Sequence, residues 1–443
     1  MKRYSNLFRH LKALVYLVLV LALPACEIDE FDDPNNPTIK TDDATIADLN
    51  NLVVGTEAGM RNIIGTYYDN VGVIGREHYR FSGADPRFTS DLLGAGNAVL
   101  DNNTFYTTNP WSARYRVVQN TNILIEATNN ANPELVSEEL KQGYLGFAKT
   151  IQAHELLMNL NMMNENGIRL DVADFNNLGP IVDREASLAA IAGLLEEAKG
   201  HLEAAGATFA FTLSGGFAGF NTPATFLQFN RALAARVAVY RNQFAEALTF
   251  LEGSFLDLNG DFNKGVYYVF STASGDQLNT LYFAPNATGE VRIAQPDFIK
   301  DAEPGDDRLS KVSKRTAPAT QSGLTGDYDV ALYKTNTDPV PIIRNEELIL
   351  IYAEAKIQTN QLPDAVTALN RIRTGHGLRP YTGALTRDAL INEMLRQRRY
   401  SLYFEGHRWI DMRRYNKLNE LPIDRAGDDV WVNFPIPFAE EGI

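Results

Sequence analysis

Apolar residues fall into two kinds of pattern along this chain. The first is an unbroken run from Ala13 to Ala22, preceded by Lys2, Arg3, Arg9 and Lys12. A bilayer span needs about 20 apolar residues, so this shorter run behind a basic start predicts a cleavable signal peptide over residues 1–25. The second pattern is helical. Leu140, Tyr144, Phe147, Ile151 and Met158 share one stripe, with Asn132 as N-cap and Pro133 as first helical residue, which predicts a helix of about 30 residues. Ser187 is the expected cap of the next helix, where Ile191, Leu194, Leu195, Ala198 and Leu202 repeat at helical spacing.

Two later segments each read as a pair of helices. Thr222-Pro223 opens a run with Phe226, Phe229, Leu233, Val237 and Tyr240 inward, and after a break near Asn242 the pattern resumes at Phe244, Ala247, Leu248 and Leu251. Leu348, Ile351, Tyr352 and Ala355 precede a second break at Asn360, followed by Leu362, Ala365, Val366, Leu369 and Ile372. The spacing predicts a mainly α fold of tetratricopeptide-like helix pairs. Between the helices, residues 71–109 and 254–341 are rich in Gly, Asn, Asp, Thr and aromatics. They read as long insertions with small β elements, such as Val266 to Phe270 and Leu281 to Ala284, and binding usually resides in such loops.

Composition narrows the setting. Leu23-Pro24-Ala25-Cys26 resembles the lipobox of bacterial lipoproteins, with Pro24 replacing the usual small residue, so Cys26 is the expected lipid attachment site and membrane anchor. Residues 26–40 carry Glu27, Asp29, Glu30, Asp32, Asp33, Pro34 and Pro37 and read as an acidic flexible tether; residues 41–443 form the helical body. Loss of residues 1–25 removes four basic residues from 41 and none of the 55 acidic ones, leaving a net charge of −18. Nucleic acid is excluded as a partner on that balance. Cys26 is the chain's one cysteine, so the body must be held by its core rather than by disulfides.

Motifs for catalysis and metal binding are incomplete. His154-Glu155 begins a zinc motif, but Met158 stands where the second histidine is required, and His154 lies on the apolar stripe as a core residue. Ser214-Gly215-Gly216-Phe217-Ala218-Gly219 lacks the Gly-Lys-Ser/Thr ending of a phosphate loop and reads as a flexible loop, and no G-x-S-x-G elbow occurs. Asp257, Asn259 and Asp261 alternate as in a calcium loop, with Phe262 where the glycine belongs; a polar turn is the default and calcium a weak candidate. No cofactor and no catalytic residue is expected. The densest charge cluster is an expected helix carrying Arg396, Arg398, Arg399, Glu405, Arg408, Asp411, Arg413 and Arg414. Arg398, Glu405 and Arg408 share a stripe with Met394, Leu402 and Trp409, which predicts buried structural ion pairs among Arg398, Glu405, Arg408 and Asp411 rather than an anion site.

Arg344-Asn345-Glu346-Glu347-Leu348-Ile349-Leu350-Ile351-Tyr352-Ala353-Glu354-Ala355 resembles the R-x-x-E-x-x-L-x-Y-A-E-A signature of SusD/RagB-type nutrient-binding lipoproteins. Ala368 to Arg373, the run Arg398 to Arg414, Pro435-Ile436-Pro437 and the Trp111, Tyr115, Asn122 set resemble further features of that family. The resemblance implies a SusD-like superhelix of four helix pairs, without catalysis, at the outer surface of the outer membrane. There it would capture glycan, peptide or other oligomeric nutrients and pass them to a SusC-like TonB-dependent transporter. A lipoprotein scaffold binding protein partners through tetratricopeptide-like grooves is the alternative. The signature residues themselves read as scaffold. Ligand contacts are expected in the insertions, from Arg80, Asp85, Arg87, Phe88 and Tyr106 in the first and Tyr282, Tyr328 and Tyr333 in the second, where rings can stack on sugar faces.

Overall fold

The computed structural model describes residues 41–174 and 176–441; the signal segment, Cys26 and the acidic tether lie outside the described residues. Its helices are α1 (Ile46–Met60), α2 (Ile64–Ile74), α3 (Phe105–Asn129), α4 (Glu138–Met163), α5 (Arg184–Ala204), α6 (Pro223–Tyr240), α7 (Phe244–Glu252), the short α8 (Pro296–Lys300), α9 (Asn345–Gln358), α10 (Leu362–Gly375), α11 (Arg387–Ser401) and α12 (Arg408–Arg414). Long helices stack in one row: α1 packs on α3, α3 on α4, α4 on α5, α5 on α6, α6 on α7, α7 on α9 and α9 on α10. Neighbour-on-neighbour stacking of this kind buries a continuous core that no single pair could bury alone. Among the described residues no helix is long and apolar enough to cross a membrane.

Polar residues set the helix starts. Thr45 and Asp48 form a reciprocal capping box on α1, with N–H to oxygen distances of 2.9 and 3.3 Å. Thr222 caps α6 with Pro223 in its first turn. The two hairpin turns use one device. Asn242 and Asn360 adopt positive φ (59° and 60°), and the following Gln243 and Gln361 each donate a backbone N–H to a carbonyl of the preceding helix at 2.8 Å. Asparagine tolerates that left-handed conformation, so each break falls on it.

Two expected starts are corrected. Asn132 spends its side chain on the N–H of Glu134 (2.9 Å) in a local turn, and α4 begins at Glu138, where Ser137 caps it and Glu138 and Glu139 complement the helix dipole. Asp183, not Ser187, caps α5, accepting from the Ala186 N–H at 2.8 Å; Ser187 is buried one turn in. The charged C-terminal stretch is two helices rather than one. Phe404 and Gly406 have positive φ (61° and 79°), and the chain breaks between α11 and α12.

The first insertion narrows to residues 75–104, because α2 continues to Ile74 and α3 begins at Phe105. Its strand β1 (His78–Ser82) joins strands of the second insertion in an antiparallel sheet of order β1-β5-β7-β6, with β5 Glu290–Ala294, β6 Val312–Gln321 and β7 Leu324–Val330. The two insertions are therefore one structural unit. Strand β4 (Gly265–Tyr268) pairs with β8 (Val340–Arg344), and β2 (Ile168–Arg169) pairs with β3 (Ile181–Val182). Leu281 to Ala284 is not a strand. Asn279 fixes that segment as a turn, accepting from the Leu281 N–H and donating to the Asp338 carbonyl, both at 2.8 Å.

Buried ion pairs stitch the row together. Arg236 on α6 grips Glu347 on α9 with both guanidinium edges (2.7 and 2.6 Å). Arg414 on α12 reaches both oxygens of Glu354 (2.9 and 3.1 Å), and Arg398 Nε donates to Asp411 at 2.6 Å. Arg408 is the exception among the expected set. It forms no ion pair among the described residues, although Asp411 and Arg414 of the same helix do.

Glu347→Gln leaves Arg236 buried without its countercharge, and urea denaturation should show a loss of about 3–5 kcal/mol. Burial opposes ionisation of Glu347, yet Arg236 and His407 hold its carboxyl down at about 2, below its unfolded value. Its contribution is therefore complete above the unfolded value of about 4.3 and is lost as pH falls toward 2. Glu77 behaves oppositely: burial pushes it up to about 8, so the folded state holds an extra proton and its contribution falls as pH rises from about 4.3 toward 8. Glu77→Gln should flatten the stability-against-pH curve over that window; an unchanged slope would contradict the assignment.

Candidate functional site

Where the second insertion meets α9 and α10, a cleft of about 310 Å³ opens. Its walls are aromatic and apolar, from Phe262, Tyr267, Leu332, Tyr333, Pro339 and Pro341, and its floor is charged, from Lys311, Arg344, Glu346, His376 and Glu405.

Each wall residue is placed by backbone geometry. The β4–β8 register shifts between Val266 and Tyr267, and a bulge of this kind re-aims the side chain that follows it. Behind Tyr267, the segment Gly215–Phe217 is an ordered 3-10 turn rather than a flexible loop. A Cβ on Gly216 would stand 2.0 Å from the Tyr267 carbonyl oxygen, so only glycine lets the two chains approach. Phe262 is fixed from both sides: its carbonyl accepts from the Glu346 N–H (3.1 Å), and its ring lies 4.2 Å from the Arg371 guanidinium and 5.2 Å from the His376 ring.

The floor is a closed electrostatic circuit. Arg344, at the end of β8, donates to both Glu405 oxygens (3.0 and 2.7 Å), to the Ser401 carbonyl (2.6 Å) and to Glu346. His376 stands between Glu346 (2.6 Å) and Asp307 (2.7 Å). Burial opposes ionisation of Glu346, but Arg344 and His376 hold its carboxyl well below the usual carboxylate range. Lys311 donates to the Tyr400 carbonyl (2.9 Å) and to that of Ser401, and burial pushes its ammonium down to about 8. On the floor the two cations, Lys311 and Arg344, lie beside two carboxylates, Glu346 and Glu405. The cleft therefore offers ring faces and hydrogen-bonding edges over a floor whose charges balance, a lining suited to stacking and to hydroxyl groups.

Of the eight residues expected to contact ligand, Tyr333 lines this cleft. It is buried there, and its hydroxyl has no partner among the described residues. The others lie elsewhere. Arg80 is buried in β1 against Asp69 (3.4 Å) and Glu290 (2.5 Å), with its guanidinium over Phe88 and Phe283, so Phe88 is spent in that stack. Asp85 caps a short turn and pairs with Arg87, which lies over Phe105. Tyr106 is fully buried and donates to Asp91 at 2.8 Å. Tyr282 is half-buried against the core, and Tyr328 lies under the Lys314 ammonium. Glu405, expected among the structural pairs, bonds Arg344 and forms part of the cleft floor.

The calcium candidate resolves into turns. Asp257 and Asp261 each accept a backbone N–H two residues on, from Asn259 and Asn263 at 2.9 Å, and Asn345 Nδ2 donates to the carbonyls of Asp257 and Asp261. Their carboxylates close local turns instead of converging on one point. His154 is buried, at 2.8 Å from the Tyr268 hydroxyl, and burial pushes it down to about 3. Sequence reasoning missed Phe262, Tyr267 and His376. The available signal was the placement of two rings around the recognised strand Val266 to Phe270.

Comparison with known proteins follows the geometry. Residues 315–430 match the sequence model of the SusD family. No curated protein matches the sequence. Among solved structures, the chain is similar to a surface glycan-binding protein A from Bacteroides thetaiotaomicron, at 14% identity and a TM-score of 0.70, over 89% of this chain and 96% of that one. It is similar to a SusD superfamily protein from Bacteroides vulgatus, at 17% identity and a TM-score of 0.67, over 90% and 97%. A putative sugar binding protein from Bacteroides vulgatus also matches, at 19% identity and a TM-score of 0.65, over 89% and 96%. At these identities the structures carry the fold alone. The family sequence match covers most of β6, then β7, β8 and the helices from α9 to α12. The chain thus has a SusD-type fold over nine-tenths of its length and carries the SusD family's sequence pattern over residues 315–430.

Proposed function

We propose that this protein is a non-catalytic cell-surface lipoprotein that captures a glycan in the cleft between β4, β8 and α10. The observation that carries this reading is the pairing of aromatic walls with a charge-neutralised floor, which suits an uncharged, hydroxyl-rich ligand better than an acidic or a purely apolar one. Support also comes from the names of the similar structures, which include surface glycan-binding and putative sugar binding proteins. In this reading residues 1–25 are a signal peptide, Cys26 carries lipid, and residues 26–40 tether the body outside the outer membrane. Phe262 and Tyr267 supply stacking faces, and Asn263, Asp338 and the remaining lone pairs of Glu346 bond hydroxyls. Bound glycan then passes to a SusC-like TonB-dependent transporter seated against the helical row.

Affinity electrophoresis and calorimetry against starch, xylan, galactan and mixed-linkage glucan test capture. One of these polysaccharides should be retained, and Phe262→Ala or Tyr267→Ala should weaken it about tenfold or more, as expected for loss of a central aromatic contact. Surface labelling of intact cells and co-purification with an outer-membrane transporter test the other half. Retention of no polysaccharide, together with no transporter partner, would sink the proposal.

A further inference from the structure

A second cavity, of about 200 Å³, shares no lining residue with the aromatic cleft. It forms where the C-terminal ends of α4 and α6 meet the start of α5 and the last helix, α12, and is lined by Asn161, Asn164, Arg184, Tyr240, Arg413 and Arg414, among others. Three guanidinium groups on one small cavity are unusual in a chain with 55 acidic and 41 basic residues.

Their charges are unequally matched. Arg414 is neutralised by Glu354 (2.9 Å) and Asp411 (3.2 Å), although its Nε is buried without a partner among the described residues. Arg184 Nε stands 4.0 Å from Glu165, whose side chain is 69% exposed and therefore well screened. Arg413 forms no ion pair among the described residues. It donates to the carbonyls of Val432 (2.9 Å) and Asn161 (2.8 Å), which occupies two of its five N–H donors. Asn161 lies in the last turn of α4, and a helix C-terminus offers roughly half a unit of negative charge, enough to orient a guanidinium and too little to neutralise it. Burial first, and then the neighbouring Arg184, push Arg413 down to about 9, a direction that an added anion reverses.

We propose that this cavity binds a small oxyanion, a carboxylate, sulfate or phosphate carried by a small molecule, held between Arg413 and Arg184 with Asn161 and Asn164 facing its remaining polar groups. The expectation from sequence was that the arginine-rich stretch contains no anion site. Carboxylates match Arg398 and Arg414, whereas Arg413 faces a cavity whose one lining carboxylate among the described residues, Glu165, is 69% exposed. The occupant is chemically distinct from the uncharged ligand of the cleft, so the two sites are separable.

The test is thermal unfolding and calorimetry of the purified protein with sodium glucuronate, phosphate or sulfate, against glucose and chloride at matched ionic strength. At least one oxyanion should raise Tm and bind saturably, since a ligand that binds only the folded state stabilises it. A response to glucuronate alone identifies a sugar acid; a response to phosphate and sulfate identifies a tetrahedral oxyanion. Arg184→Gln, at a partly exposed position, should weaken the response tenfold or more, with an unchanged circular dichroism spectrum and a cooperative unfolding transition as the readout of correct folding. Arg413→Lys keeps the charge but removes the planar fork, and should weaken it as well. The proposal is overturned if no oxyanion exceeds chloride, or if both variants respond as the unmodified protein does. Failure of polysaccharide capture would leave this result standing, since it reads a different cavity.

Discussion

Burying a carboxylate is tolerable only beside a fixed counterion, and the C-terminal half of this fold is organised by that constraint. Helix α9 places Glu346, Glu347 and Glu354 in the interior, and each meets a guanidinium brought from another element: Arg344, Arg236 and Arg414. A slip in helix register would strand several charges at once, whereas a slip in an aliphatic interface costs only packing. The pairs therefore specify how α6, α9 and α12 sit on one another more strictly than the leucines and isoleucines around them.

The cleft is the edge of that lattice. Arg344 ends β8 and immediately precedes α9, so the residue that positions the strand beneath Tyr267 also holds Glu405 and Glu346. The floor is polar because the lattice reaches it and electrically quiet because the lattice closes there. The wall owes its shape to a bulge and to one glycine, features that carry no charge and can vary without disturbing the floor.

Much of the helical row was legible in the sequence because its signals are local. Thr222-Pro223, Asn242 and Asn360 each act through their own backbone, and the structure places helix ends at all three. Boundaries failed where two candidates competed within one turn, as with Asn132 against Ser137 and Ser187 against Asp183, since capping depends on a geometry that spacing alone leaves open. The site was less legible. Arg80, Phe88 and Tyr106 look like binding residues in a polar loop, yet Arg80 is buried by the pairing of β1 with β5, Phe88 lies beneath its guanidinium, and Tyr106 belongs to α3. Phe262 read as the residue that spoils a calcium loop, and only the tertiary arrangement turns it into a wall. Arg413 reads in sequence as part of the charge cluster of one helix, and the break over residues 402–407 places it with Arg408, Asp411 and Arg414 on a second one.

The chain's final stretch reaches back to its beginning. Arg76 donates to the Asp429 carbonyl across 353 residues, and Trp111 and Asn102 bond Glu440 and Glu441 across 329 and 339. Synthesis runs from the N-terminus, so the first insertion must wait, incompletely bonded, until residues 429–441 have been made. Such distant closures slow folding, because the entropy of a long loop is lost before its contacts form. A polypeptide cut short before Glu405 would possess most of the helical row but would lack one carboxylate of the cleft floor and the segment that bonds Arg76, Asn102 and Trp111, and would remain open to proteolysis.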